Sequence, residues 1–363
     1  MNNICFFNSI KFWGGGEKLH LENAVEFKKK GYNVVVFSNP DSPLREKADS
    51  ENIKTAAVSI SNLSFLNPFK ILKLKKTYRK ENIDTVIFSA SQDLKAGGIA
   101  AKLAGVKNIV YMRGLASPIK ASFINKLIFK NILTHIIANS DETKKMILQN
   151  LNEYIDSKKI KTIYHGININ KITDNTSILK EIKEKKHGVI LGNAGRLDNG
   201  KGLKKLIATA KKLKDRNIDF TLFIAGTGKL HSELQTLINN SNLQDYVILL
   251  GFIKEMDKFM NSIDIFTFSS ESEGFGFVMV EAMVRKVPVV AFNITSIPEI
   301  VENNKNGFTV DYPNLDMFAD KIIYLINNPD IREKMGEEGL KTVKHKFILS
   351  DKITEIENFI KTE

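Results

Sequence analysis

The sequence predicts an α/β chain made of two Rossmann-like halves, and three observations carry that expectation. Its 363 residues exceed the roughly 250 to 300 that one hydrophobic core can organise. Short β-rich apolar runs alternate with longer amphipathic stretches, the rhythm of a parallel sheet wrapped by helices. That rhythm stops in a polar, lysine-rich stretch ending at Lys186 and then begins again.

In the first half the apolar runs are residues 4–7, 33–37, 85–88, 109–112 and 135–138, each followed by a helical pattern. The segment Lys161-Thr-Ile-Tyr-His-Gly-Ile-Asn168 closes this half. In the second half the runs are residues 188–194, 220–225, 247–250, 264–268 and 288–292. Phe220-Thr-Leu-Phe-Ile-Ala225 and Val287-Pro-Val-Val-Ala-Phe292 are nearly continuous apolar segments, as strands buried on both faces require. Residues 331–345 and 353–360 read as terminal helices. The expected division is therefore 1–170, 171–345, and a helix in 346–363 that packs back toward the first domain. Open parallel sheets take ligands at the carboxyl ends of their strands, so two such domains facing each other would enclose a working cleft.

Composition narrows the class. With 43% hydrophobic and 26% charged residues the chain is neither disordered nor fibrous. Cys5 is the sole cysteine, which excludes an internal disulfide and disfavours a cysteine-built zinc site. The first apolar run, residues 4–7, is far short of a signal-peptide core of about 7 to 15 residues. The longest strongly apolar run, residues 247–253, is far short of the ~20 residues of a membrane span. The expected location is cytoplasmic, with any membrane met from its surface.

The net charge of +12 is unevenly placed. Residues 1–170 hold 26 Lys and Arg against 14 Asp and Glu, whereas residues 171–363 hold 27 against 27. The densest segment, residues 67–80, opens with Asn67 and Pro68, a helix cap and first-turn proline, and interleaves Phe69, Ile71, Leu72, Leu74 and Tyr78 with six basic residues. A weaker basic helix is expected over residues 119–130. Such helices bind anionic lipid, although a lysine-rich outer face of an ordinary α/β helix reads the same way.

Four glycine-containing turns follow predicted strands. Glu273-Gly-Phe-Gly-Phe-Val-Met-Val-Glu281 puts two carboxylates around a turn in which Gly274 and Gly276 permit close backbone approach and helix amides can donate. Glu281 can accept two hydroxyl protons, as a ribose diol offers. Gly195-Arg-Leu-Asp-Asn-Gly-Lys-Gly202 brings Arg196, a bidentate phosphate ligand, together with Lys201, a point charge. Ala225-Gly-Thr-Gly-Lys229 supplies Gly226 and Gly228, and Phe12-Trp-Gly-Gly-Gly-Glu-Lys18 supplies Gly15 and Gly16. None of these fits a P-loop or a dinucleotide fingerprint.

Taken in order, with Ile297-Pro-Glu-Ile-Val and Asn306-Gly-Phe added, the set resembles the retaining nucleotide-sugar glycosyltransferases of glycosyltransferase family 4, with the GT-B fold of two facing Rossmann-like domains. The resemblance covers most of the chain. It implies that Arg196 and Lys201 hold the donor diphosphate, Glu273 contacts the donor sugar and Glu281 binds the ribose. The backbone of Phe275, Gly276 and Phe277 assists, as do Gly226 and Gly228, and Gly15 and Gly16 approach the donor from the first domain. No Asp-x-Asp occurs, which agrees with the metal-independent family, and no cofactor is expected. Two departures stand out: His165 where the family usually has Asn, and Arg113 where many members carry an acceptor-side histidine. Arg113 cannot act as a base but can bind phosphate, carboxylate or hydroxyl.

The expected function is retaining transfer of a hexose-type sugar from a UDP-, GDP- or ADP-sugar to a glycan or lipid-linked acceptor. The setting is cell-surface polysaccharide or lipopolysaccharide synthesis, peripheral on the inner membrane face. A nucleotide-sugar epimerase on the same fold and an anionic-polymer-binding protein are the alternatives, and nucleic acid is not an expected partner.

Overall fold

The computed structural model describes residues 1–169, 177 and 179–362. Its contacts divide the chain into two units, Met1–Gly166 with Leu349–Glu363, and Ile167–Ile348. The expected boundary at residue 170 lies outside the described residues.

The first unit is built on a parallel sheet of β1 (Asn3–Asn8), β2 (Asn33–Ser38), β3 (Lys54–Ala57), β4 (Thr85–Phe88), β5 (Asn108–Arg113), β6 (His135–Ala138) and β7 (Ile160–Thr162), in the order β3-β2-β1-β4-β5-β6-β7. The second carries β8 (Val189–Ala194), β9 (Phe220–Ala225), β10 (Val247–Gly251), β11 (Ile265–Phe268), β12 (Val289–Phe292) and β13 (Gly307–Val310), in the order β10-β9-β8-β11-β12-β13. Every pairing among these strands is parallel. Each order reverses beside the unit's first strand, at β1/β4 and β8/β11, the position at which open parallel sheets take ligands outside the carboxyl ends of their strands. All ten expected strands form. Three more, β3, β7 and β13, occupy sheet edges.

Burial on both faces explains the apolar runs. In β1, Ile4 and Phe6 enter one core with Phe27, Ile87 and Val110, while Cys5 and Phe7 enter the other with Phe37, Tyr78 and Phe88. Helix Pro68–Lys80 is capped by Asn67, whose side chain accepts from the Lys70 amide at 3.1 Å. It lays Ile71, Leu74 and Tyr78 into the second of these cores, whereas Phe69 is 80% exposed. The helix expected from residue 119 begins later. Ser122 caps helix Phe123–Leu127, and the Asn125 side chain donates to the Lys120 carbonyl at 2.8 Å, holding residues 119–122 as a loop. No helix among the described residues is long and apolar enough to cross a membrane.

Helix Leu349–Lys361 belongs to the first unit, where Leu349, Ile353, Ile356, Phe359 and Ile360 complete the core facing helix Gly15–Lys29. Glu357 fastens the contact by accepting from Tyr32 Oη at 2.5 Å and pairing with Lys30 and Lys361. Lys30, Lys361 and Tyr32 hold its carboxyl down at about 2. A carboxyl held below its unfolded value stabilises the fold above that value and loses its contribution as pH falls toward the folded one. Glu357→Gln should therefore lower unfolding free energy by about 1 kcal/mol at pH 7, the partners being partly solvated. Urea melts should show the difference from wild type fading from about pH 4.5 toward pH 2.

Candidate functional site

In the second unit the glycine turns gather at the β8/β11 switch point. Gly195 and Arg196 leave the end of β8, and Lys201 and Gly202 lead into helix Leu203–Asp215. Ser269 and Ser270 leave the end of β11, and Glu273 follows within the same loop. Lys201 and Glu273 meet there: Lys201 Nζ lies 2.6 Å from Glu273 Oε1, and Ser270 Oγ donates to the same oxygen at 2.8 Å. The Glu273 amide donates to Thr295 Oγ1 at 3.2 Å, and Ser296 Oγ donates to the Glu273 carbonyl at 3.2 Å. The carboxylate is thus held at side chain and backbone, and Lys201, 28% exposed at its side chain, faces it. Arg196 is 73% exposed at its side chain and touches Asp198 at 3.3 Å. Ser270, Thr295 and Ser296 were not singled out from sequence; the Ser-Ser pair directly after the β11 run was the available signal.

Glycine is required where these loops cross. Gly202 has φ +64°, and a Cβ there would stand 1.8 Å from the Ser269 carbonyl oxygen. A Cβ on Gly226, at φ +141°, would lie 1.8 Å from the Gly195 carbonyl oxygen, and one on Gly228 would strike the Leu197 backbone at 2.4 Å. The Gly195 and Leu197 amides are bonded to the Ala225 and Thr227 carbonyls at 3.0 and 2.9 Å, so the turn after β9 is the seat of the Arg196 loop. Gly276, at φ +81°, precedes helix Phe277–Val284, which carries half-buried Glu281. The Phe275 ring is buried and meets Phe347 edge-on at 5.5 Å. Asn306 is a structural member of the motif set. It is fully buried, accepts from the Glu302 amide at 2.8 Å and donates to the Ile300 carbonyl at 3.1 Å. A cavity of about 670 Å³ beside β13 involves Asn304 and Lys305, at the strand's amino end and opposite these loops.

In the first unit Gly14, Gly15 and Gly16 follow β1 and open helix Gly15–Lys29. A Cβ on Gly15 or Gly16 would meet nothing within 4 Å, so packing within the fold does not demand glycine at either. Glu17 accepts from the Asn8 side chain at 3.3 Å. Buried Asp93 accepts from the Ser9 amide at 2.8 Å and from Ser9 Oγ, tying the end of β1 to helix Ser91–Ala104, and burial pushes its carboxyl up to about 6. Arg113 ends β5. Its guanidinium donates to Tyr111 Oη at 3.1 Å, the Leu115 carbonyl at 3.1 Å, and the Ser117 carbonyl and hydroxyl at 3.1 and 3.0 Å, so it shapes the 114–117 loop. Among the described residues no cluster of three or more His, Cys, Asp or Glu side chains could hold a metal ion.

Known proteins share this organisation. Residues 13–171 match the family described as Glycosyltransferase Family 4, and residues 174–342 that described as Glycosyl transferases group 1. The chain is 27% identical over 347 residues to the capsular polysaccharide biosynthesis glycosyltransferase CapM of Staphylococcus aureus, covering 90% of this chain and 89% of that one. It is 25% identical over 338 residues to the UDP-Gal:alpha-D-GlcNAc-diphosphoundecaprenol alpha-1,3-galactosyltransferase of Escherichia coli, covering 88% and 87%. The solved structure of Anabaena HepE in complex with UDP and glucose has the same fold, with a TM-score of 0.84, 21% identity and 99% coverage of both chains.

The two kinds of glycine should separate on substitution. Gly202→Ala, which forces a Cβ into a carbonyl from a left-handed backbone, should destabilise the fold by upwards of about 1 to 3 kcal/mol. Gly16→Ala, in open space in a first helical turn, should leave thermal stability unchanged or raise it by about 0.5 to 1 kcal/mol. Calorimetric melts of both variants check the contrast.

Proposed function

The chain is a GT-B glycosyltransferase, its halves carrying the two family matches in order, and we propose that it moves a hexose-type sugar from a nucleotide-sugar, UDP-linked first, to a glycan or lipid-linked acceptor with retention at the anomeric carbon. The observation that carries this reading is the pairing of Lys201 with Glu273 beside exposed Arg196 at a switch point. Such a site offers cations for a diphosphate and a carboxylate for sugar hydroxyls in one place.

In this mechanism Arg196 grips the diphosphate bidentately, and Lys201 places its ammonium on the oxygen that leaves. As the anomeric C–O bond breaks the diphosphate gains negative charge, and fixed cations stabilise it more than reorganising water would. Glu273 accepts from donor sugar hydroxyls, and Glu281 accepts from the ribose diol. The main chain of 275–277 donates to the sugar, and Gly226 and Gly228 admit close approach. Retention places the acceptor oxygen on the face the diphosphate leaves, so the departing phosphate oxygen is the nearest base for the acceptor's proton. The UDP complex of HepE and the UDP-galactose specificity named for the E. coli relative support a UDP donor, and the capsule and lipid-diphosphate relatives support a surface-glycan acceptor. The reading includes peripheral association with an anionic membrane through the basic helix Pro68–Lys80, and no metal.

Lys201→Ala should fold normally and lose transfer about 10² to 10³-fold. A variant near wild-type turnover removes Lys201 from this role. A screen of UDP-, GDP- and ADP-sugars should find one nucleotide that raises stability by about 2.7 kcal/mol at 100 times its Kd. NMR of the glycosylated product should show the donor's anomeric configuration, and EDTA should leave the rate unchanged. Inverted product overturns retention, and epimerised donor formed without acceptor supports the epimerase alternative.

A further inference from the structure

Resting on the proposed transfer to a lipid-linked acceptor, and taking the first unit as its acceptor side, we propose that the pocket at the carboxyl ends of β4 and β5 seats the phosphate or diphosphate of that lipid acceptor. The pocket, about 210 Å³, is lined by Lys95, Arg113 and Lys120, with Tyr111 and Ile119 among its walls and no carboxylate. Among the described residues none of the three cations has an ion-pair partner. The four acceptors of the Arg113 guanidinium among the described residues are neutral oxygens, and Lys95 Nζ lies 5.8 Å from the Phe65 ring centroid. Three positive charges around one small concavity repel each other, and an anion held among them removes that repulsion. Phosphate suits the set, since lysine ammoniums serve as point charges on its oxygens.

The surroundings favour a lipid over a soluble phosphate. On one side Lys95 meets Phe65, whose chain neighbours Leu63 and Leu66 are 68% and 67% exposed, and Phe69 follows at 80%. On the other, Leu115 and Phe123 bracket the Ile119–Lys120 wall in sequence at 56% and 82% exposed. Large apolar side chains in water are unremarkable singly, but a set flanking a cationic pocket fits a bilayer surface, with ammoniums at headgroup level and rings below it. A lipid phosphate brings both chemistries in one molecule.

The test uses the full chain, its Lys95→Ala/Lys120→Ala and Leu66→Ser/Phe69→Ser variants, and co-sedimentation with phosphatidylcholine vesicles carrying either phosphatidic acid or, at matched surface charge, phosphatidylglycerol. Wild type should prefer phosphatidic acid, whose phosphomonoester can enter the pocket. The lysine variant should lose that preference and bind about tenfold more weakly. The apolar variant should bind both vesicle types more weakly. Thermal stabilisation by UDP, read on each variant, should stay at the wild-type value. Equal binding to the two vesicle types, or a lysine variant that keeps the preference, overturns the site. Vesicle binding that survives the apolar variant, together with a lysine-dependent thermal shift by inorganic diphosphate, assigns the pocket to a soluble phosphate and overturns the lipid source. If UDP fails to stabilise wild type while the vesicle preference holds, the donor reading falls and the phosphate pocket stands.

Discussion

A carbonyl oxygen will not admit a carbon at 1.8 Å, and twice in the second unit it is glycine that lets the chain pass one. Ser269 presents its carbonyl to Gly202, and Gly195 presents its own to Gly226. These crossings bring the loops after β8, β9 and β11 into backbone contact at the place where strand order reverses. The placement of the candidate site residues in that unit depends on the contact. Arg196 and Lys201 ride on the first loop, Glu273 on the third, and the second supports the first through the Gly195 and Leu197 amides. A side chain at Gly202 would push its loop from the one after β11 by the width of a methyl group, which is enough to separate the lysine from its carboxylate.

The same closeness sets the electrostatics. Lys201 and Glu273 are each partly withdrawn from water, so either charge alone would be poorly solvated. Together they balance, and Ser270 gives the carboxylate a neutral donor as well. A diphosphate entering beside them would compete with Glu273 for the ammonium, leaving the carboxylate free to accept from hydroxyls. In the proposed reading, ground-state pairing and ligand binding would be alternative uses of the same two groups. The first unit treats its cations differently: among the described residues Lys95, Arg113 and Lys120 have no carboxylate ion-pair partner, and the excess of positive charge written into that half of the sequence is concentrated in part where a ligand could meet it.

How much was legible follows from the range of each interaction. Central strands announced themselves because burial on both faces leaves a nearly unbroken apolar run, as in Phe220–Ala225. The edge strands Lys54–Ala57 and Ile160–Thr162 are short and partly exposed, so nothing forces such a run upon them. Asn67 and Pro68 marked a helix start correctly because capping is local, while residues 119–122 matched a basic helical pattern and were held as a loop by the Asn125 side chain. The glycine turns were visible as motifs. That Lys201 reaches a glutamate 72 positions away was not, because the crossing that joins them exists only in three dimensions. Arg113 was noticed for its chemistry, but its bonds to the 114–117 loop depend on a turn that sequence spacing does not specify.

Helix Leu349–Lys361 makes the first unit discontinuous in sequence, with the whole second unit inserted between residues 166 and 349. The inserted unit is a single uninterrupted segment and can collapse on its own residues. The host cannot: Ile4, Phe6 and Phe27 share a core with Ile353, Ile356 and Phe359, which leave the ribosome more than three hundred residues later. During synthesis the sheet that is made first therefore waits with one apolar face incompletely covered, while the sheet made second can finish. Order of synthesis and order of completion are reversed, and the nascent first unit is the part of this chain with most need of protection from aggregation.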